Sequence, residues 1–283
     1  MRHTFFLFLY CCLFPFFSKA QVKDSVNNLF KTQGAIIIAI KAKDGIIVVA
    51  DSRMSYKSSR NGEVLAYQDG LPKIFPLKKF AIAITGDFSD GEFLIKKIIS
   101  DFDNSNPSYR TPEECLYKFG VFAKQKYPGY FKSLTNNILL CAGYGPEQMI
   151  AILLNGKTYP ITQDTWASNV FMEIDSLHLF SISKNTGSKK AADSAINAMK
   201  EYIKIFHKEN ELGGLFSVLK INLNNSWRWE KNDFSGNEYL TECEAAKALF
   251  NKKFSLHYTS DENKKLMQDF NKAIRSKCEL LKR

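Results

Sequence analysis

The chain has 283 residues, 39 basic against 29 acidic side chains, and a formal net charge of +10. Its length suits one large domain, or one domain with an appendage. The positive charge is scattered and accompanies no nucleic-acid recognition module, so nucleic acid is not an expected partner.

Arg2 and His3 precede an apolar, phenylalanine-rich run from Phe5 to Phe17, and Ser18-Lys19-Ala20 follows before Gln21. This is the pattern of a secretory signal peptide cleaved after Ala20, and the run is too short for the about 20 residues of a membrane-spanning helix. Losing Arg2 and Lys19 takes the net charge from +10 to +8. The expected destination is a secreted or periplasmic one, with no membrane span after cleavage. Cys11 and Cys12 leave with the signal, while Cys115, Cys141, Cys243 and Cys278 remain, an even number in a compartment that permits disulfides.

Residues 21–33 are polar, without a clear period, and are read as a leader; 34–237 are read as the domain and 238–283 as a helical extension. Two β-branched stretches, Ile36–Lys41 and Ile46–Ser52, flank the turn-forming Lys43-Asp44-Gly45 and predict a hairpin. Their nearly continuous apolar character predicts burial on both faces. A polar loop with Ser58, Ser59, Asn61 and Gly62 leads to expected strands at Val64–Gln68, Lys73–Phe75 and Phe80–Thr85.

A helix is expected over Ser89–Phe102, burying Leu94, Ile95, Ile98, Ile99 and Phe102. A second begins at Thr111-Pro112-Glu113-Glu114, a cap, a first-turn proline and a capping-box acid, and ends before Pro128. Strands at Ile138–Ala142, Met149–Leu154 and Lys157–Tyr159, turned at Gly145-Pro146 and Asn155-Gly156, read as a meander.

A third helix, Lys189–His207, aligns Ala192, Ala195, Met199, Tyr202 and Phe206 on one stripe. Gly213-Gly214 opens a strand from Leu215 to Leu223, and Asn224-Asn225-Ser226 turns it into Trp227–Lys231, where Trp227 and Trp229 suit cross-strand packing. Helices over Glu238–Lys253 and Ser260–Leu281 complete the chain as a hairpin in which a Cys243–Cys278 disulfide is expected. It would close a loop of roughly 35 residues, worth ~3–4 kcal/mol. Grouped antiparallel strands with helices in blocks make the class α+β.

Ile38-Ala39-Ile40-Lys41 followed by Asp44-Gly45-Ile46-Ile47-Val48-Val49-Ala50-Asp51-Ser52-Arg53 resembles the opening hairpin of proteasome subunits. Lys73-Ile74, Ile84-Thr85-Gly86-Asp87, Leu140-Cys141-Ala142-Gly143-Tyr144 and Gly213-Gly214 extend the resemblance in order over about residues 34–232. It implies a four-layer αββα sandwich of two antiparallel sheets flanked by helices, the N-terminal nucleophile hydrolase fold. It also implies self-assembly into a homo-oligomer, and a peptide or amide ligand where the pocket persists.

In that family the first residue of the hairpin is a threonine whose hydroxyl attacks an amide carbonyl and whose freed α-amine takes the proton. Matching without gaps puts Ala35 at that position, and alanine has no nucleophilic atom. The resemblance carries the supporting aspartate and lysine onto Asp51 and Lys73, and a later acid onto Glu209 as a vestige; Leu212 stands where the family has serine. Such a site implies a catalytically inactive protein acting by binding or assembly. The alternative is an active threonine-type peptidase or amidohydrolase self-processed near Thr32–Ala35. Thr32 lies about 10 Å upstream in an extended strand and, at an odd step, on the opposite face. No metal or cofactor motif is present; His178, His207 and His257 are isolated, and no cofactor is expected.

Overall fold

Apolar side chains on both faces of a strand need cover on both sides, and the central hairpin obtains it. The computed structural model describes residues 30–58, 61–86, 89–90, 93–128, 137–161, 166–169, 182–232, 257–266 and 268–269. Strands β2 (Ile37–Ala42) and β3 (Gly45–Asp51) pair antiparallel, and every residue of both is buried. Alternate residues serve different cores. Ile37, Ala39, Ile46, Val48 and Ala50 join one apolar cluster, while Ile38, Ile40, Ile47 and Val49 join a second.

The hairpin sits in a five-stranded sheet with β13 (Trp166–Ser168), β14 (Phe216–Ile221) and β15 (Trp227–Lys231), in the order β13-β2-β3-β14-β15. A second five-stranded sheet runs β12-β11-β10-β7-β6, from β12 (Lys157–Ile161), β11 (Gln148–Leu154), β10 (Ile138–Tyr144), β7 (Phe80–Thr85) and β6 (Ile74–Pro76). The first cluster joins residues of β2 and β3 to residues of β7 and β10, and continues into helices α1 (Ile95–Asn104) and α2 (Pro112–Lys126). The second lies between β2, β3, β14 and helix α3 (Ser188–Ile205). The protein is α+β, with antiparallel sheets and a few helices.

A third sheet was not legible in the sequence. β1 (Phe30–Gln33) pairs with β4 (Met54–Ser58), which pairs with β5 (Val64–Gln68), which pairs with β16 (His257–Tyr258). Strand structure therefore begins upstream of Gly34, and residues 257–258 add a strand where only helices were expected. Helical residues at 261–266 and 268–269 follow β16. The expected helix at Glu238–Lys253, His178 and both partners of the Cys243–Cys278 pairing lie outside the described residues. Cys115 and Cys141 are buried free thiols.

The first expected helix begins six residues late. β8 (Ser89–Asp90) and β9 (Phe93–Leu94) form a small two-stranded pair, and α1 starts only at Ile95. α2 matches its cap: Thr111 Oγ1 accepts from the Glu114 N–H at 3.2 Å, although the Glu114 carboxylate turns back to the Arg110 N–H at 2.8 Å, one residue before the cap. α3 stops at Ile205, and His207 takes φ 50°, so Phe206 leaves the apolar stripe and is exposed. Among the described residues no helix is long and apolar enough to cross a membrane.

Candidate functional site

The site forms where β3 ends, at the edge of the first sheet. Asp51 is the last residue of β3 and is completely buried, a position that a carboxylate holds only when it is fully hydrogen-bonded. Asp51 Oδ1 accepts from the Ile36 N–H at 2.8 Å and from Lys73 Nζ at 2.9 Å; Oδ2 accepts from the Gly213 N–H at 2.8 Å. Lys73, equally buried, also donates to the Arg53 carbonyl. Burial pushes the Lys73 ammonium below the ordinary lysine value, while the charge and hydrogen bond of Asp51 oppose that shift.

The backbone around this pair is tied just as closely. Ser52 and Arg53 N–H groups donate to the Gly213 carbonyl at 3.1 and 3.2 Å, and Ser52 Oγ accepts from the N–H groups of Gly70 and Leu215 at 3.1 and 2.9 Å. Thus the segment before Lys73 and the segment opening β14 both hang on residues 51–53. Arg53 adds a bidentate pair with Asp69, at 2.6 and 2.7 Å, beneath which its guanidinium stacks 3.8 Å from the Tyr67 ring.

Ala35 is held beside the pair through its neighbour's amide. It is buried, and its carbonyl accepts from Asn169 Nδ2 at 2.8 Å and Thr85 Oγ1 at 3.3 Å. Asn169 in turn accepts from the Ile37 N–H at 2.8 Å, so one side chain clamps both ends of the 35–37 backbone. Gly34 makes the approach possible: its φ is 137°, and a Cβ there would lie 2.9 Å from the Arg53 carbonyl and 3.0 Å from that of Glu211. Upstream of Gly34 the chain runs directly into β1.

Of the expected site residues, then, Ala35, Asp51 and Lys73 come together. Glu209 does not join them with its carboxylate: the side chain is exposed, and it is the backbone carbonyl that accepts from Arg53. Leu212 is buried in the α3 cluster. Thr32 stands in register with Tyr56, in the sheet of β1 and β4 and not that of Asp51. Its separation from Ala35 does not follow the alternation of one continuous strand, because residues 34–36 are outside any strand. Asn169 was missed by sequence reasoning; its signal was only a polar residue following the short Trp166-Ala167-Ser168 strand.

The arrangement offers a desolvated ammonium, a carboxylate and oriented backbone amides next to residue 35 in the chain, which is an alanine. In the unprocessed chain the nitrogen of residue 35 is a peptide nitrogen joined to Gly34, without a basic lone pair. Among the described residues no group of three or more His, Cys, Asp or Glu is placed to hold a metal ion.

The Proteasome subunit family model matches residues 31–145, which hold Ala35, Asp51 and Lys73. Those residues resemble proteasome subunits. Among solved structures, Anbu (ancestral beta-subunit) from Yersinia bercovieri is 13% identical, over 70% of this chain and 88% of that one, with a TM-score of 0.49. No curated protein matches this chain.

Proposed function

We propose that this is an exported protein on the proteasome-subunit plan that does not hydrolyse amides and acts by binding a peptide or amide ligand or by assembling with copies of itself. One observation carries the reading: residue 35 is an alanine, its carbonyl accepts from Thr85 and Asn169, and the next amide in the chain, that of Ile36, is held by the buried Asp51–Lys73 pair. A threonine-type mechanism needs a hydroxyl and a free amine on that residue. The Asp51–Lys73 pair has a structural reason to persist without catalysis, since removing either partner strands a buried charge. Export is supported by the Phe5–Phe17 run and Ser18-Lys19-Ala20, and self-assembly by the resemblance of residues 31–145 to proteasome subunits.

The test is the intact mass of the protein purified from the exported fraction, beside hydrolysis of fluorogenic peptide amides and light scattering. The expected protein starts at Gln21, leaves the amides intact and elutes as an oligomer. A chain beginning at Thr32, with hydrolysis abolished by Thr32→Ala, overturns the reading in favour of an active hydrolase. A protein that is both monomeric and without affinity for peptides removes the binding and assembly role.

A further inference from the structure

Helix α2 lies against β10, β11 and β12 and covers one face of the second sheet. Its inner face consists of Cys115, Leu116, Phe119 and Ala123, all buried. The outer face is not polar throughout, as the solvent side of a helix ordinarily is. Tyr117 and Val121 stand there one turn apart, 63% and 39% exposed.

A single exposed apolar side chain is ordinary. Here two share a stripe with charges in a definite order. At 3.6 residues per turn, Glu113, Tyr117, Val121 and Lys124 fall within about 80° of one another: an acid, two apolar residues, then a base. The helix macrodipole accounts for an acidic first turn and a basic last one, but not for the apolar pair between them. Glu114 is engaged within its own chain segment, by Lys118 at 2.8 Å and by the Arg110 N–H, and Lys126 reaches Asp101 of α1 at 3.9 Å. Glu113 and Lys124 are the charges that border the apolar pair on the outward stripe.

Such a stripe is complementary to itself. Tyr117 stands two residues before Phe119 and Val121 two after it, so a two-fold axis at the level of Phe119 sets each Tyr117 against the partner's Val121. Glu113 lies six residues before Phe119 and Lys124 five after, on the same side of the stripe. The same axis therefore brings each Glu113 to within about 1.5 Å of the level of the partner's Lys124. A parallel pairing of this face would set acid against acid and base against base.

From these observations we infer that the outer face of α2 binds a second copy of the chain, the two helices antiparallel, with Tyr117 and Val121 at the centre and a Glu113–Lys124 pair at each end. The inference rests on the self-assembly proposed above and names the surface that carries it. Opposite charges at the ends fix the direction of pairing more than its strength. One helix face makes a small interface, in the class of weak and reversible encounters, so a dissociation constant of roughly 10–100 μM is expected.

Sedimentation equilibrium of the purified protein, from about 1 μM to 1 mM, measures the association. Tyr117→Asp is expected to weaken it at least ~10-fold, because it puts two charges into the apolar centre. Glu113→Lys or Lys124→Glu alone should weaken it roughly 5-fold, and the two together should return it to within about twofold of the wild type. Circular dichroism and thermal melting check that each variant keeps its fold. An assembly that Tyr117→Asp leaves intact overturns the α2 surface while the self-assembly reading stands; a wild-type chain that is monomeric throughout overturns both. A double charge reversal that associates no more tightly than the single variants overturns the antiparallel pairing.

Discussion

The Lys73 ammonium lies 2.9 Å from the Asp51 carboxylate, and neither side chain reaches water. Such a pair is costly to break and inexpensive to replace as a whole, because the penalty arises from the partner left behind. Lys73→Met is expected to cost about 3–5 kcal/mol, a large part of an ordinary domain's ~5–15 kcal/mol. Asp51→Asn alone is also expected to destabilise, since it leaves the buried ammonium facing a neutral amide. The double variant is expected to lose at least ~1 kcal/mol less than the sum of the singles. Chemical denaturation of the four proteins measures this, and additive losses would show that the two groups do not interact.

A second prediction concerns the residue before Ala35. Gly34→Ala places a methyl group 2.9 Å from one carbonyl oxygen and 3.0 Å from another, at a φ that alanine resists. Both obstacles are backbone atoms, so no side-chain rotation relieves them. A loss of ~2 kcal/mol or more is expected in the denaturation midpoint. An unchanged midpoint would mean that the chain does not pass Arg53 and Glu211 as described.

What could be read from the sequence was the part whose signal is side-chain chemistry. The β2–β3 hairpin is written in β-branched residues, and β5, β7 and β15 fall on their expected residues, because alternation and turn residues mark their ends. β1 escaped since Phe30-Lys31-Thr32-Gln33 has no apolar period; it is held in register with β4 through its backbone, which any sequence possesses. Phe93 and Leu94 fit a helical stripe as well as they fit β9, and short apolar runs do not distinguish the two. Phe206 continued the α3 period past the point where the backbone turns left-handed at His207.

Ala35, Asp51 and Lys73 were legible through the family resemblance, but the clamp around them was not. Asn169 lies 134 residues from Ala35 in the chain, and nothing local marks an asparagine whose two amide atoms bridge a distant segment. A short polar residue after a three-residue strand reads as a loop. Only the pairing of β13 with β2 gives it that role.

Asn169→Ala tests this clamp. It removes the acceptor for the Ile37 N–H and one donor to the Ala35 carbonyl, which Thr85 Oγ1 then holds alone. Two lost hydrogen bonds in a part-buried setting should cost about 1–3 kcal/mol. Hydrogen exchange locates the effect: the Ile37 amide is expected to lose protection while amides in the centre of β10 do not change.

The last prediction comes from a residue that the sequence marks only as a turn. Gly187 precedes α3 and has no side chain to cap it; Asp44, in the β2–β3 turn, does so instead, accepting from the Ser188 N–H at 2.7 Å and from Ser188 Oγ at 2.8 Å. Lys220 of β14 completes the group through an ion pair with the same carboxylate. The hydrogen bond from Lys220, with those from Ser188, holds the Asp44 carboxyl well below its usual range, against the opposing effect of burial. A carboxylate whose folded pKa is depressed adds stability above its unfolded pKa of about 3.9, and loses it as pH falls through the lower folded value. Asp44→Asn keeps an oxygen for the cap but discards the charge, and because half of the side chain is exposed the expected loss at neutral pH is only about 1 kcal/mol. Below roughly pH 4 the wild type begins to protonate in its unfolded state, and the gap between the two proteins should narrow steadily with further acid. Thermal melts of both proteins from neutral to acid pH measure this gap, and a difference independent of pH would show that the Asp44 charge does not stabilise the fold.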